Sequence, residues 1–341
     1  MSNFILQNQN AVFYECGYSC DNELFLSLNG RNFLFTDSRY AIEAREFVKE
    51  CEVVEIKHSL FKEARQILRK FEVKNLIYDP NDFSVLQFDE FSKLSRINFI
   101  SRPNFSKKKR VIKSASEIKT LKEAAKFGAL KFDEFAKFID EYGEGMSEKE
   151  LFFEASRILK DSGNLELSFD PIVAINENGS KAHAIPSQKS LKNGDLLLFD
   201  AGVKFNHYCS DRTRTICFDK DIAFSKNQSF KNSKIDEVYG IVKEAQDLAI
   251  KAVKPGIRAC DVDFVAREFI TKNGYAKEFF HSTGHGVGLD IHELPNINTR
   301  DTTVLMPGMV FSIEPGIYLQ NEFGVRIEDV VVVTDSGCEI L

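Results

Sequence analysis

From about Phe13 to Ile100, short apolar runs alternate with segments of helix-like pattern. Leu24 to Leu28, Phe33 to Phe35, Val53 to Ile56 and Leu76 to Tyr78 have the length and make-up of strands. Strands interleaved with helices predict a small α/β domain. Between Ser101 and Lys113 the sequence turns polar and basic around Pro103, which reads as a linker. The expected division is an N-terminal domain over residues 1–112 and a second domain over residues 113–341.

The second domain opens on Ser114, Ala115, Ser116 and Glu117, a Ser-x-x-Glu capping box. Ile118, Leu121, Ala125, Phe132, Phe135 and Ile139 follow on one helical face. Ser147 with Glu150 starts another helix carrying Leu151, Phe152, Ala155, Ile158 and Leu159. Further helices are expected from Asp236 to Val253, stopped by Pro255 and Gly256, and from Asp261 to Lys272, ahead of Gly274. Between them the clearest strands are Asp195 to Val203, Tyr208 to Phe218, Val310 to Leu319 and Val325 to Thr334.

Composition narrows the classes. With 43% hydrophobic and 28% charged residues over 341 positions, the chain reads as an ordinary globular protein of more than one domain. A formal charge of -6, with cationic clusters as short as Lys107 to Arg110, excludes a general attraction to nucleic acid. No stretch reaches the roughly 18 apolar residues of a membrane span, and Met1 to Asn10 lacks a basic start followed by an apolar run. Seven Cys without paired short spacings argue for reduced thiols in a cytoplasmic compartment.

Two predicted hairpins bring acids together. If the chain folds back symmetrically about Phe205 and Asn206, Asp200 and Asp211 become cross-strand neighbours, with β-carbons roughly 4.5–5.5 Å apart. Glu314 and Glu328 stand in the same relation about Asn321. Like charges facing each other in a ladder repel, and burying carboxylates without partners costs several kcal/mol each. Two divalent cations would neutralise the four charges, and His285, flanked by Gly284, Gly286 and Gly288, is the candidate nitrogen ligand.

The runs that carry these residues are FDAG with Asp200, SDRTRT with Asp211, STGHGVGL with His285, SIEPGIY with Glu314 and GVRIED with Glu328. In order and spacing they resemble the pita-bread metallopeptidases, which include methionine aminopeptidases, Xaa-Pro aminopeptidases and prolidases. FTDSRY, Phe35 to Tyr40, resembles the extra domain of the proline-directed branch. The resemblance implies an α+β fold, in which a pita-bread catalytic domain follows a smaller α/β creatinase-like domain. It implies two divalent ions per chain, Mn first, with Co, Fe or Zn as alternatives. Asp200 would hold one, His285 and Glu314 the other, and Asp211 and Glu328 would bridge them. Glu314 would also shuttle the proton. His281 and His292 would be catalytic and touch substrate, His183 would line the prolyl pocket, and Arg326 would orient the acids on the substrate side. His207 reads as structural, in a turn where relatives carry Gly, and His58 as a surface residue.

The activity implied is that of an Xaa-Pro aminopeptidase working as a homodimer on peptides with proline second. Prolidase, an Xaa-Pro dipeptidase, is the alternative. Prolidases tend to carry a basic residue just after the His-Glu-x-Pro run, where this chain has Asn296. A pita-bread binding protein that has lost catalysis is disfavoured, because all five ligand candidates are present.

Overall fold

The computed structural model describes residues 2–93, 96–219 and 221–341. The chain falls into two compact units, Met1–Arg110 and Val111–Leu341.

In the first unit the elements are β1 (Phe4–Leu6), α1 (Gln9–Cys16), β2 (Glu23–Leu28), β3 (Arg31–Thr36), α2 (Ala41–Phe47), β4 (Glu52–Glu55), α3 (Leu60–Lys70), β5 (Asn75–Tyr78), α4 (Val85–Ser92), β6 (Asn98–Ser101) and α5 (Phe105–Lys109). The strands form one mixed sheet in the order β4-β3-β2-β1-β5-β6. Successive side chains of a strand point to opposite faces. Leu24, Leu26, Phe33 and Phe35 accordingly join one apolar cluster while Phe25 and Leu34 join another, and both faces of the sheet are covered. The stretch expected to be a linker is ordered into β6 and α5. Two of its basic residues find partners inside the unit: Arg110 donates to Ser106 Oγ at 2.8 Å, and Lys109 pairs with Glu15 and lies 4.7 Å from the Phe4 ring centroid. His58 is exposed, as expected.

The second unit begins with α6 (Ala115–Tyr142) and α7 (Glu148–Leu159), each entered through a complete capping box, Ser114 with Glu117 and Ser147 with Glu150. Then come β7 (Glu166–Leu167), β8 (Ile172–Ile175), β9 (Leu196–Ala201), β10 (Val203–Phe205), β11 (Tyr208–Cys209), β12 (Arg212–Cys217), α8 (Ser233–Ala252) and α9 (Ala259–Lys272). The remainder is β13 (Gly284–Gly286), β14 (Glu293–Ile297), β15 (Val310–Ile313), β16 (Gly316–Leu319), β17 (Phe323–Arg326), β18 (Asp329–Val333) and β19 (Cys338–Ile340). Phe132, Phe135 and Leu151 of α6 and α7 pack on Leu197 and Phe199 of β9. Val238, Val242 and Ala266 of α8 and α9 pack on Phe311, Ile313 and Val331 of β15 and β18. Each helix pair thus backs one sheet, and the expected acids lie where the strands of these two sheets meet.

Candidate metal centre

β9 and β12 pair antiparallel, but Asp200 faces Thr213, and Asp211 lies just ahead of β12. The expected register is therefore wrong by two residues. The hairpin centre is Asn206–His207, not Phe205–Asn206: Phe205 pairs with Tyr208 and Lys204 with Cys209. Asn206 and His207 both have positive φ, 47° and 70°, as a tight two-residue hairpin turn requires. A slip of two leaves every side chain on its expected face, so Asp200 and Asp211 still share one. His207 is a turn residue.

For the second pair the expected symmetry holds. β16 and β17 pair Gly316 with Arg326, and β15 and β18 pair Ile313 with Asp329, so one register runs through both ladders. Glu314 and Glu328 occupy the gap between them. Their amides leave the ladder and bond other segments, Glu314 N–H to Thr283 O at 2.7 Å and Glu328 N–H to Thr213 O at 3.1 Å. This places the two acids against the histidine segment and the first hairpin respectively.

Ligand-type atoms of Asp211, His285 and Glu328 lie within 4.8 Å of one another. His285 Nε2 is 3.6 Å from Asp211 Oδ2 and 3.3 Å from Glu314 Oε1. Asp200 and Arg326 form an ion pair at 2.6 Å through Oδ2, while Asp200 Oδ1 is buried with no hydrogen-bond partner among the described residues. One guanidinium therefore offsets one of four carboxylates. Burial first, and then the neighbouring acids, hold Asp211 and Glu328 well above the usual carboxylate range. Burial also raises Glu314, with Arg326 opposing and Asp200 adding to the shift. The cluster has an uncompensated negative charge that protons or cations must meet.

All five acid and imidazole candidates line one cavity of about 720 Å³, together with His183, His281, His292 and Arg326. His183 and His292 are exposed, and the His292 ring lies 4.4 Å from that of His285, centroid to centroid. Asn296 is the cross-strand neighbour of His285, which puts it in the cavity wall. His281 is held differently. Its Nδ1 is 2.8 Å from Ser282 O, a carbonyl that can only accept, so Nδ1 carries the hydrogen. The Nε2 of this neutral ring, held down to about 3 by burial and then by Arg326, accepts from Tyr318 Oη at 2.9 Å. A hydrogen bond from His281 to substrate would require Nε2 to leave Tyr318.

Sequence reading missed Tyr318 and Thr213, although both lie inside the quoted motifs. Tyr318 Oη accepts from Arg326 Nη1 at 2.7 Å. It reaches there because Gly316, opposite Arg326, has no side chain: a Cβ on Gly316 would sit 2.6 Å from that oxygen. Thr213 Oγ1 donates to Glu328 Oε2 at 2.7 Å and accepts from Arg326 Nε at 3.1 Å, coupling the two hairpins. The signal available was alternation, since Thr213 stands two residues after Asp211 and shares its face.

Residues 119–335 match metallopeptidase family M24, and residues 1–112 match the creatinase/prolidase N-terminal domain. The Xaa-Pro dipeptidase of Pyrococcus furiosus is 36% identical over 86% of this chain and 80% of its own length. Among solved structures, an Xaa-Pro dipeptidase from Bacillus anthracis superposes with a TM-score of 0.91 at 32% identity, over 99% of this chain and 92% of that one. An X-Pro aminopeptidase from Thermotoga maritima gives 0.88 at 31%, over 100% and 95%. With its α/β N-terminal unit, its α+β pita-bread unit and five motif blocks in order, this chain belongs to metallopeptidase family M24.

Proposed function

We propose that this protein is a metal-dependent exopeptidase that hydrolyses Xaa-Pro dipeptides. The observation that carries the metal reading is the convergence of Asp211, His285 and Glu328 within 4.8 Å, beside Glu314 and the unpartnered Oδ1 of Asp200. Mixed carboxylate and imidazole donors fit divalent Mn, Co, Fe or Zn. Asp200, Asp211, His285, Glu314 and Glu328 would hold two such ions. Bound there, they supply Lewis-acid polarisation of the scissile carbonyl and a nucleophilic water at neutral pH.

The side chains do the rest. Glu314 would take a proton from the attacking water and return it to the departing nitrogen. As in any amide hydrolysis the nitrogen must gain a proton to leave as an amine, and before proline it carries no N–H by which the enzyme could hold it. Arg326, fixed by Tyr318, Thr213 and the Ala182 carbonyl, donates to Asp200 Oδ2 at 2.6 Å and so holds that carboxylate in the cavity wall. His183 and His292 are open to the cavity and would bind the peptide.

Preference for dipeptides over longer peptides, against the aminopeptidase expected from the sequence, is supported by the Xaa-Pro dipeptidase names of the Pyrococcus furiosus and Bacillus anthracis relatives. One observation favours the aminopeptidase. Among the described residues Arg326 is the one guanidinium or ammonium group lining the cavity, and it is committed to Asp200, which leaves a dipeptide carboxylate to the histidines and Asn296. Side-by-side turnover of Xaa-Pro dipeptides and Xaa-Pro-Yaa tripeptides separates the two. Faster dipeptide cleavage is expected. Faster tripeptide cleavage would establish the aminopeptidase, and cleavage of neither would remove the proline reading. Manganese as the native ion and a homodimeric assembly rest on the resemblance, and metal analysis of chelator-free protein and light scattering test them.

A further inference from the structure

We propose that Asp263 and Arg267, on α9, are positioning residues for the segment that carries His281 and His285, and through it for Glu314. The proposal rests on the reading of that segment as part of the metal centre.

The Asp263 side chain is 0% exposed and is gripped by Arg267 one helical turn later, Nε to Oδ2 at 2.9 Å and Nη2 to Oδ1 at 2.7 Å. Helical spacing of four residues puts the two side chains on one face. Beyond each other, the two side chains hydrogen-bond to one short segment. Asp263 Oδ1 accepts from Thr283 Oγ1 at 2.8 Å and from Thr283 N–H at 3.3 Å. Arg267 donates to Phe279 O at 3.0 Å and to His281 O at 2.8 Å, and its guanidinium lies 4.2 Å from the centre of the Phe279 ring. Thr283 O in turn accepts the Glu314 amide at 2.7 Å. His285 follows two residues later, its own amide bonded to Ser312 Oγ, which donates to Glu314 Oε1.

A buried ion pair contributes little net stability, and well-packed apolar residues of similar volume often do as well or better. What this pair adds is direction. It fixes three points, at residues 279, 281 and 283, of a stretch that carries Gly284 and Gly286 and would otherwise be loosely determined. Groups that orient metal ligands from behind typically matter about 10- to 100-fold in metal affinity or activity.

The test uses full-length protein and mild substitutions, because Asp263→Ala would leave Arg267 half-buried beside an empty site. Thr283→Val removes the hydroxyl at nearly constant volume, Thr283→Ser keeps it, and Arg267→Lys keeps the charge while losing the fork. Four readouts are taken: melting temperature, kcat, KM on the best wild-type peptide, and Mn²⁺ affinity by calorimetry. Thr283→Val is expected to lose about 10- to 100-fold in kcat and to bind Mn²⁺ more weakly, with KM little changed and Thr283→Ser restoring both. Arg267→Lys is expected to lose kcat to a similar extent. Variants that melt lower but keep wild-type kcat and Mn²⁺ affinity would overturn the proposal and leave the pair a packing element. Should wild-type protein cleave no Xaa-Pro peptide, the functional reading fails while the Mn²⁺ titrations still decide this one.

Discussion

Asp211→Asn should make the metal-free protein more stable while depriving it of activity. Asp211 and Glu328 present oxygens within 4.8 Å of each other. At an effective dielectric near 20, unit charges about that far apart repel by about 3 kcal/mol. Asn has nearly the same shape, and the 3.6 Å between Asp211 Oδ2 and His285 Nε2 is too long for a strong hydrogen bond. Little is lost with the charge. Both carboxyls titrate above their unfolded values. Their stabilising contribution is therefore complete below the ordinary carboxylate range and is lost as pH rises through the raised values. The relief from Asp211→Asn should accordingly be largest in alkaline buffer. In a chelating buffer near pH 8.5, about 3 kcal/mol corresponds to a melting temperature about 6–12 °C above wild type for a unit of this size, and the gap should narrow near pH 5. Added Mn²⁺ should raise wild type and leave the variant nearly unmoved. Differential scanning fluorimetry at the two pH values, with and without metal, reads all of this. A chelated variant that melts at or below wild type in alkaline buffer would refute the electrostatic reasoning.

Other substitutions test separate parts of the account. Glu23, 2% exposed in the first unit, has its carboxyl pushed up to about 8 by burial, and its Oε1 has no hydrogen-bond partner among the described residues. Folding therefore favours its protonated form, and by pH 7 about 3 kcal/mol of the stability present in acid is lost. Glu23→Gln should remove that slope in urea unfolding, and an unchanged slope would count against it. Lys113 and Glu293 form an ion pair at 2.9 Å with side chains 1% exposed. Lys113→Met should cost about 3–5 kcal/mol by stranding the acid, and the double variant with Glu293→Gln should recover most of it; equal losses would show that the charge is not the cause. A Cβ on Gly284 would lie 1.8 Å from Ser312 O. Gly284→Ala should therefore push β13 off β15, cost more than about 4 kcal/mol and abolish Mn²⁺-dependent stabilisation; a variant that melts normally would disprove the close approach.

What could be read from sequence was what local chemistry dictates. Ser114 and Ser147 announce helices because their hydroxyls and the following Glu satisfy amides that no helix can satisfy internally. Glu314 and Glu328 could be paired because the chain between them folds symmetrically about Asn321, which takes the positive φ the turn needs. Asp200 and Asp211 were assigned the wrong partners but the right face. The turn is centred on Asn206–His207, and His stands where the usual Asn-Gly signal of such a turn would have Gly. Contacts between distant segments were out of reach. Arg326 finds Asp200 across 126 residues, and Asp263 finds Thr283 from a helix whose apolar pattern gives no hint of a polar task. The basic run after Ser101 looked like a linker because periodicity cannot show that Arg110 and Lys109 have partners in their own unit.

If buried acids of like charge are gathered here to hold cations, calorimetric titration of chelator-stripped protein with Mn²⁺ will show it. Wild type should bind about two ions per chain, with release of protons from the carboxyls, and Asp211→Asn should bind markedly less. Uptake of less than about one ion by wild type, or identical isotherms for the two proteins, would contradict it.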